Sequence, residues 1–144
     1  MSALVTKVEN GRTLVLDPVR RRYVALTPEE GVRQQLLADL IALGYPAGLL
    51  AVEKGLAFGG KTWRADAVAY GRSGAALLLA ECKAPGVAVS QATFDQLARY
   101  NAVLGAPVLV VDNGRVRYCC IRGAGPSESA GWTFVDTVPA YSGA

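Results

Sequence analysis

The chain has 144 residues, of which 51% are hydrophobic and 19% charged. This length suits one compact domain, and the composition excludes a disordered chain. A total of 15 Lys and Arg against 12 Asp and Glu gives a net charge of +3, which permits a polyanionic partner without requiring one. There is no histidine and no CxxC motif, which excludes the common zinc sites and the Ser/His and Cys/His catalytic pairs.

The sequence also bears on the compartment. Its apolar runs are far shorter than the roughly 20 residues of a membrane helix, and its first residues lack the pattern of a secretory signal. We therefore expect a cytoplasmic protein with no membrane partner. Cys82, Cys119 and Cys120 form an odd set, so we expect reduced thiols, with the adjacent pair packed within a strand.

The first 26 residues are predicted to form short strands or an ordered arm. Their polar and apolar residues alternate loosely, and turn signals occur at Asn10-Gly11 and Asp17-Pro18. A first helix follows, with Thr27 as N-cap, Pro28 at its first position and Gly44 after its end. Its predicted apolar stripe is Val32, Leu36, Leu37, Leu40 and Ile41.

The rest of the chain predicts strands around a second helix. Three apolar strands are expected at 49–58, 62–70 and 75–83, the simplest arrangement being a meander. A helix between Ser90 and Gly105 buries Phe94, Leu97, Ala98 and Leu104, and a hairpin around Asn113-Gly114 follows within 107–121. After Gly123 we expect loop, with one late strand or turn near residues 132–135.

This element order predicts the α/β class, with a mixed central β-sheet flanked by helices. The expected order of the core is α-β-β-β-α-β, with one further strand after it. The predicted divisions are an arm at 1–26 packed on the core, the core itself at 27–122 and a C-terminal extension at 123–144.

Charged residues interrupt the third apolar strand. Glu81 and Lys83 share one face of it, and a two-residue turn at Ser73-Gly74 would place Asp66 directly across from Glu81. Carboxylates that lie side by side repel each other unless a cation sits between them, and Mg²⁺ prefers oxygen ligands of this kind. The pattern therefore indicates phosphodiester hydrolysis. The alternative is a structural salt bridge of Asp66 or Glu81 with Lys83 or Arg64.

These residues also carry a family resemblance. "RADAV" at 64–68 and "ECK" at 81–83 resemble the bipartite motif of the PD-(D/E)xK nuclease superfamily, and "QLARY" at 96–100 resembles the QxxxY helix motif of RecB-type nucleases. Together with "DPVRRRYVALTPEEGVRQQLL", "VEKGL" and "DNGRVRYCC", the chain from about residue 15 to 121 is similar to the N-terminal nuclease region of type I restriction enzyme R (HsdR) subunits. The resemblance implies a restriction-endonuclease-like core.

The resemblance also implies roles for individual residues. Asp66, Glu81 and the backbone carbonyl of Cys82 would bind Mg²⁺, with Mn²⁺ as a substitute, and Lys83 would be the catalytic lysine. Glu30 in the first helix would complete the site, with Glu29 as the second choice. Thr27 and Glu30 also have capping-box spacing, in which Glu30 only caps the helix.

Further residues are expected to touch DNA. Gln96 and Tyr100, at i and i+4 of the second helix, would contact DNA or support the site, although such residues are also ordinary structural ones. Phosphate contacts are expected from basic side chains, each of which could equally be a solvated charge. They are Arg20, Arg21, Arg22, Lys54, Lys61 and Arg64.

Two features depart from the larger enzymes of this kind. Ala65 precedes Asp66 where the superfamily is named for a proline, and the sequence has no GxxxxGK[ST] phosphate loop, so this chain does not by itself translocate DNA with ATP.

Three functions follow from the sequence. The first is a magnesium-dependent DNA endonuclease domain that acts alone, as a homodimer or with other restriction or repair subunits. The second is a catalytically silent module of the same fold that binds nucleic acid or protein. The third is a protein whose β-sheet mediates assembly, with Asp66, Glu81 and Lys83 forming only a structural salt bridge. Substrate structure, base preference and pathway stay open.

Overall fold

The protein is described here by a computed structural model that covers residues 3–123 and 131–143. Its strands are β1 (Thr6–Glu9), β2 (Arg12–Asp17), β3 (Arg22–Ala25), β4 (Leu50–Phe58), β5 (Lys61–Tyr70), β6 (Ala76–Cys82), β7 (Val108–Asp112), β8 (Arg117–Arg122) and β9 (Trp132–Val135). Its α-helices are α1 (Pro28–Ala42) and α2 (Gln91–Leu104), and a short 3₁₀ turn (Ala47–Leu49) leads into β4. The predicted helices and strands are confirmed, including the late strand. Part of the predicted C-terminal extension, 124–130, lies outside the described residues.

The N-terminal segment forms a small sheet of its own. Strands β1, β2 and β3 pair antiparallel in chain order. Asn10 and Gly11 both take positive φ, of 52° and 74°, in the two-residue turn between β1 and β2, as an Asn-Gly hairpin requires. Val15 and Asp17 of β2 are fully buried, so one face of this small sheet packs against the rest of the protein.

The main sheet is mixed and has the order β4-β5-β6-β7-β8-β9. Strands β6 and β7 are parallel, because α2 carries the chain across between them, and the other pairs are antiparallel. The predicted mixed α/β architecture, with β4, β5 and β6 as a meander, is confirmed.

The two helices cover opposite faces of this sheet. Leu36, Leu37 and Leu40 of α1 pack with alternate residues of β5, β6 and β7, while Leu97 of α2 packs on the other face. Ser90 caps α2, its hydroxyl accepting a hydrogen bond from Thr93 N–H. One detail of the prediction is wrong: Ile41, placed in the buried stripe of α1, is 37% exposed, because it lies at the edge of the stripe.

The β5–β6 register decides the site, and it agrees with the expected one. Ala67 pairs with Ala80 and Val68 with Leu79, the same register that sets Asp66 opposite Glu81. The predicted two-residue turn is wrong: Tyr70 pairs with Ala76 and a longer loop closes the hairpin. A β-bulge in β6 next to this loop leaves one residue of β6 without a partner in β5. Beyond the bulge the strands therefore pair in the expected register.

The three cysteines are free thiols in buried positions, as expected. No helix in the described parts of the chain is long and apolar enough to cross a membrane.

Candidate active site

Asp66 and Glu81 come together on adjacent central strands. The backbone N–H of Cys82, the residue after Glu81 in β6, donates to Asp66 Oδ2 at 2.7 Å. This hydrogen bond fixes the Asp66 carboxylate next to the end of β6. The side chains of Asp66 and Glu81 are only 15% and 17% exposed. Two carboxylates therefore sit together in a largely buried place, where like charges repel strongly.

This crowding changes the acidity of Glu81. Burial raises its pKa, and the neighbouring Asp66 raises it further through a hydrogen bond and its charge, to about 8. Lys83 opposes the rise, whereas Glu29 adds a smaller contribution in the same direction. At neutral pH the Glu81 carboxyl of the metal-free protein is therefore largely protonated.

Lys83 accompanies the pair. Its Nζ lies 3.9 Å from Glu81 Oε1, and its side chain is 34% exposed, so it reaches solvent as well as the carboxylate. Its backbone N–H donates to the carbonyl of Asp112 at the end of β7. Cys82 belongs to the core beneath α1, on the opposite face from Leu79, as strand alternation requires.

Glu30 is held in a buried ion-pair network. Burial alone would raise its pKa, but hydrogen bonds from Arg33, Arg20 and Gln34 outweigh it and lower the pKa to about 2. Arg33 donates two of these bonds, at 2.9 and 2.7 Å, and Arg20 donates one at 2.7 Å. Thr27 Oγ accepts from Glu30 N–H at 3.1 Å, which is the half of the capping box that leaves the Glu30 carboxylate free for the arginines.

Arg33 connects this network to the carboxylate pair, and sequence reasoning missed it. Its Nη1 lies 3.7 Å from Asp66 Oδ1, while its Nη2 contacts Glu30 at 2.7 Å and Glu53 at 3.6 Å. The i, i+3 spacing of Glu30 and Arg33 is a signal that could have been used. Arg33 therefore supplies positive charge on one side of Asp66.

Glu53 was also missed. It lies between Val52 and Lys54, which pair with Ala67 and Ala65, so Glu53 is opposite Asp66 in the sheet. Its φ of 52° is a left-handed conformation that costs a non-glycine residue about 1 kcal/mol or more. No sequence pattern marks this strain.

Gln96 and Tyr100 occupy different environments on α2. Gln96 is exposed on the helix surface. The ring of Tyr100 stacks on Trp63 of β5, with centroids 4.1 Å apart and planes 9° apart, and meets Phe58 edge-on at 5.3 Å. The Tyr100 ring therefore holds α2 against the β4–β5 hairpin.

The basic residues expected at phosphates separate into two groups. Arg20 is committed to the carboxylates of Asp17 and Glu30, at 2.6 and 2.7 Å. The other five are exposed and form no ion pair with the residues that the structure describes. They are Arg21, Arg22, Lys54, Lys61 and Arg64.

The donors near the pair suit a hard divalent cation. Asp66 and Glu81 offer carboxylate oxygens, which are the ligands that such a cation prefers. Among the described residues, no cluster of three or more His, Cys, Asp or Glu side chains surrounds one point. Any ion here would complete its shell with the Cys82 carbonyl, water or substrate oxygens, as Mg²⁺ commonly does.

Most of the chain is similar to one known protein family. Residues 28–139 match the family described as Type I restriction enzyme R protein N terminus (HSDR_N). No curated protein and no solved structure matches the chain. Since the match covers most of the chain, the protein belongs to this family of R-protein N-terminal regions.

Proposed function

We propose that this member of the type I restriction enzyme R N-terminal family is a metal-dependent DNA endonuclease domain with a restriction-endonuclease-like core of the PD-(D/E)xK superfamily. The observation that carries the proposal is the partly buried pair of Asp66 and Glu81 with the Lys83 ammonium 3.9 Å from Glu81. A structural salt bridge needs one carboxylate for one lysine. Here two carboxylates lie together beside Lys83 and the 3.7 Å contact of Arg33 with Asp66. Burial and Asp66 raise the pKa of Glu81 to about 8, and a cation bound between the two carboxylates would favour the ionised form of Glu81.

Asp66, Glu81 and the Cys82 carbonyl would hold Mg²⁺, with Mn²⁺ as a substitute. The bound ion would neutralise charge on the scissile phosphate and increase the acidity of a water molecule. The Cys82 N–H keeps Asp66 oriented by its 2.7 Å hydrogen bond. Arg33, 3.7 Å from Asp66 Oδ1, helps to hold that carboxylate in place.

Lys83 is the residue that would act on the attacking water. Its ammonium is partly exposed and borders the carboxylate pair, so it can orient a water toward a phosphate bound there. The lysine charge also helps to offset the negative charge that builds up on the phosphate oxygens as the nucleophile attacks. Lys83 would therefore be a catalytic residue.

DNA would be held through its phosphates. The exposed side chains of Lys54, Lys61 and Arg64 lie on the β4–β5 hairpin that carries Asp66, and Arg21 and Arg22 lie on the N-terminal sheet. Contacts of this kind position a duplex without reading its sequence. Exposed Gln96 would touch the DNA from α2, in the setting of a restriction system.

A cleavage assay on linear, circular and branched DNA with Mg²⁺ or Mn²⁺ tests this function. Asp66→Asn, Glu81→Gln and Lys83→Met should each lower the cleavage rate by about 10²-fold or more. Asp95→Asn and Lys7→Met make the same chemical changes at exposed positions away from the pair and should cleave normally. Cleavage that survives in Asp66→Asn, or that needs no metal, would contradict the proposal.

One observation favours the alternative of a catalytically silent module of the same fold. Glu30, the acidic residue expected to complete the site, is bound by Arg20 and Arg33, and Arg33 also approaches Asp66. If the protein is such a module, the Asp66→Asn variant should bind nucleic acid or a protein partner as well as the wild type does. Neither protein would cleave DNA in the assay above.

A further inference from the structure

Aromatic side chains follow Glu81 across the face of the sheet that α2 covers. Glu81 pairs with Val111 of β7, and Val111 pairs with Tyr118 of β8. Residues paired across a sheet point to the same face, so these three side chains form one row. With strands about 4.8 Å apart, Tyr118 lies about 10 Å from Glu81 along this row.

Tyr118 forms one wall of a small surface hollow. The hollow has a volume of about 210 Å³. This is below the roughly 300–1,000 Å³ of sites for drug-sized ligands, and it suits a fragment the size of one heterocycle. Val111 and Phe94 give it an apolar lining, while Ser90 and Gln91 at the start of α2 place polar groups in it.

The rings in this hollow are exposed and yet braced. Phe134 is 61% exposed and Tyr118 is 46% exposed. Their ring centroids are 6.1 Å apart at an interplanar angle of 73°. The centroids of the Phe94 and Phe134 rings are 6.2 Å apart. A flat ligand therefore meets aromatic surfaces that are already oriented, which lowers the entropic cost of stacking.

A cation stands beside the same group of rings. The guanidinium of Arg122 lies over the ring of Trp132, 5.1 Å from its centroid, and Trp132 in turn contacts Phe94 edge-on. Arg122 is exposed, so it can bind a phosphate while it stays over the indole. Aromatic surfaces next to a basic side chain form the combination that binds single-stranded nucleic acid.

We infer that this hollow binds one unpaired nucleobase of the DNA strand whose phosphate lies at Asp66 and Glu81. The hollow is about 10 Å from Glu81, so the base belongs to a nucleotide close to that phosphate along the strand. A base inside a duplex is stacked and cannot enter the hollow, so the preferred substrate is single-stranded, flapped or branched DNA. The choice of DNA rests on the proposed function, but the binding itself does not require cleavage.

Binding can therefore be measured without metal. A fluorescein-labelled oligothymidylate is titrated with the full chain in EDTA, and its fluorescence anisotropy gives Kd. Tyr118→Leu and Phe134→Leu should each raise Kd about 5- to 150-fold, the usual range for loss of one base stack, and Tyr118→Phe should bind nearly as well as the wild type. Tyr23→Leu, the same change at an exposed aromatic residue of the N-terminal sheet, should have no effect.

Photocrosslinking locates the base directly. An oligonucleotide with one 5-iododeoxyuridine crosslinks to aromatic rings on which the base stacks. Trypsin separates the two walls of the hollow, because Tyr118 falls in peptide 118–122 and Phe134 in peptide 123–144. Crosslinks in these peptides support the base site even if Asp66→Asn shows that cleavage does not depend on the carboxylate pair.

Several results would overturn the inference. They are an oligothymidylate that does not bind, an unchanged Kd in both leucine variants, or crosslinks only in peptides that contain none of Phe94, Tyr118 and Phe134. A concentration-dependent dimer that Phe134→Leu abolishes, with an unchanged Kd for DNA, would assign the hollow to a second copy of the chain instead.

Discussion

Asp66 accepts a 2.7 Å hydrogen bond from the backbone N–H of Cys82, the residue that follows Glu81 on the neighbouring strand. This bond ties the carboxylate of one strand to the backbone of the next, so the distance between the two acidic side chains is set by the sheet. A sheet is a rigid support, and a pair fixed in this way can bind a cation with little reorganisation.

Metal binding should release a proton. Because the pKa of Glu81 is raised to about 8, Glu81 in the free protein carries a proton at pH 7 that a cation must displace. Calorimetry of Mg²⁺ binding in buffers of different ionisation enthalpy should give about one proton per ion at pH 7 and close to none at pH 9.5. Affinity should rise with pH up to about 8 and then level off. Binding at pH 7 without proton release would contradict a protonated Glu81.

The Glu30 network should appear in the pH dependence of stability. The pKa of Glu30 in the folded protein is about 2, below its usual value of 4.5. Its contribution, of about 3 kcal/mol, is therefore present above pH 4.5 and is lost as pH falls from about 5 to 2. In urea unfolding, Glu30→Gln should lower the free energy of unfolding by about 3 kcal/mol at pH 7 and flatten this pH dependence.

Glu9→Gln is the matched control for that experiment. Glu9 is 57% exposed and pairs with Lys7 at the surface, so its loss should cost less than about 1 kcal/mol. Equal effects of the two substitutions would show that the network around Glu30 adds no stability of its own.

The N-terminal sheet should be energetically coupled to α1. Asp17 is fully buried, and it accepts hydrogen bonds from Arg20 and from Gln34 of α1. Asp17→Asn keeps the shape but removes the charge, so it should lower the free energy of unfolding by about 2–3 kcal/mol in urea. Mg²⁺ affinity should change less than about twofold, since Asp17 does not contact the carboxylate pair. An unchanged stability would mean that the small sheet is only loosely attached.

Substitutions of Tyr100 and Gln96 should have different effects, because the Tyr100 ring supports the structure and Gln96 is expected to contact DNA. Tyr100→Phe keeps the ring that stacks on Trp63, so cleavage and stability should both stay near wild type, while Tyr100→Ala should cost about 1–3 kcal/mol of stability. Gln96→Ala, at an exposed position, should change stability by less than about 0.5 kcal/mol but lower the cleavage rate. If Tyr100→Phe abolishes cleavage, the hydroxyl and not the ring is what matters.

Most of the fold could be predicted because local signals agree with it. Thr27 and Ser90 cap the two helices, and Asn10-Gly11 makes the expected tight turn. The β5–β6 register was also predictable, even though the turn was not. A bulge in β6 next to the loop accommodates one extra residue. The alternation of polar and apolar residues in the sequence does not predict this bulge.

The surroundings of the site could be predicted less well, because they depend on contacts between distant segments. The partner of Glu30 in the small sheet, Arg20, is ten residues away, and nothing in either local pattern links the two. The stack of Tyr100 on Trp63 joins a helix to a strand in the same way. The left-handed φ of Glu53 is set by tertiary structure and has no counterpart in residue preference.

The central claim is that Asp66 and Glu81 together bind one divalent cation. Electron paramagnetic resonance of Mn²⁺ titrated with the protein measures this directly, because bound Mn²⁺ loses the sharp signal of the free ion. The wild type, Asp95→Asn and Lys83→Met should each bind one ion per chain, and Asp66→Asn and Glu81→Gln should bind none. Equal Mn²⁺ binding by the wild type and Asp66→Asn would contradict the claim.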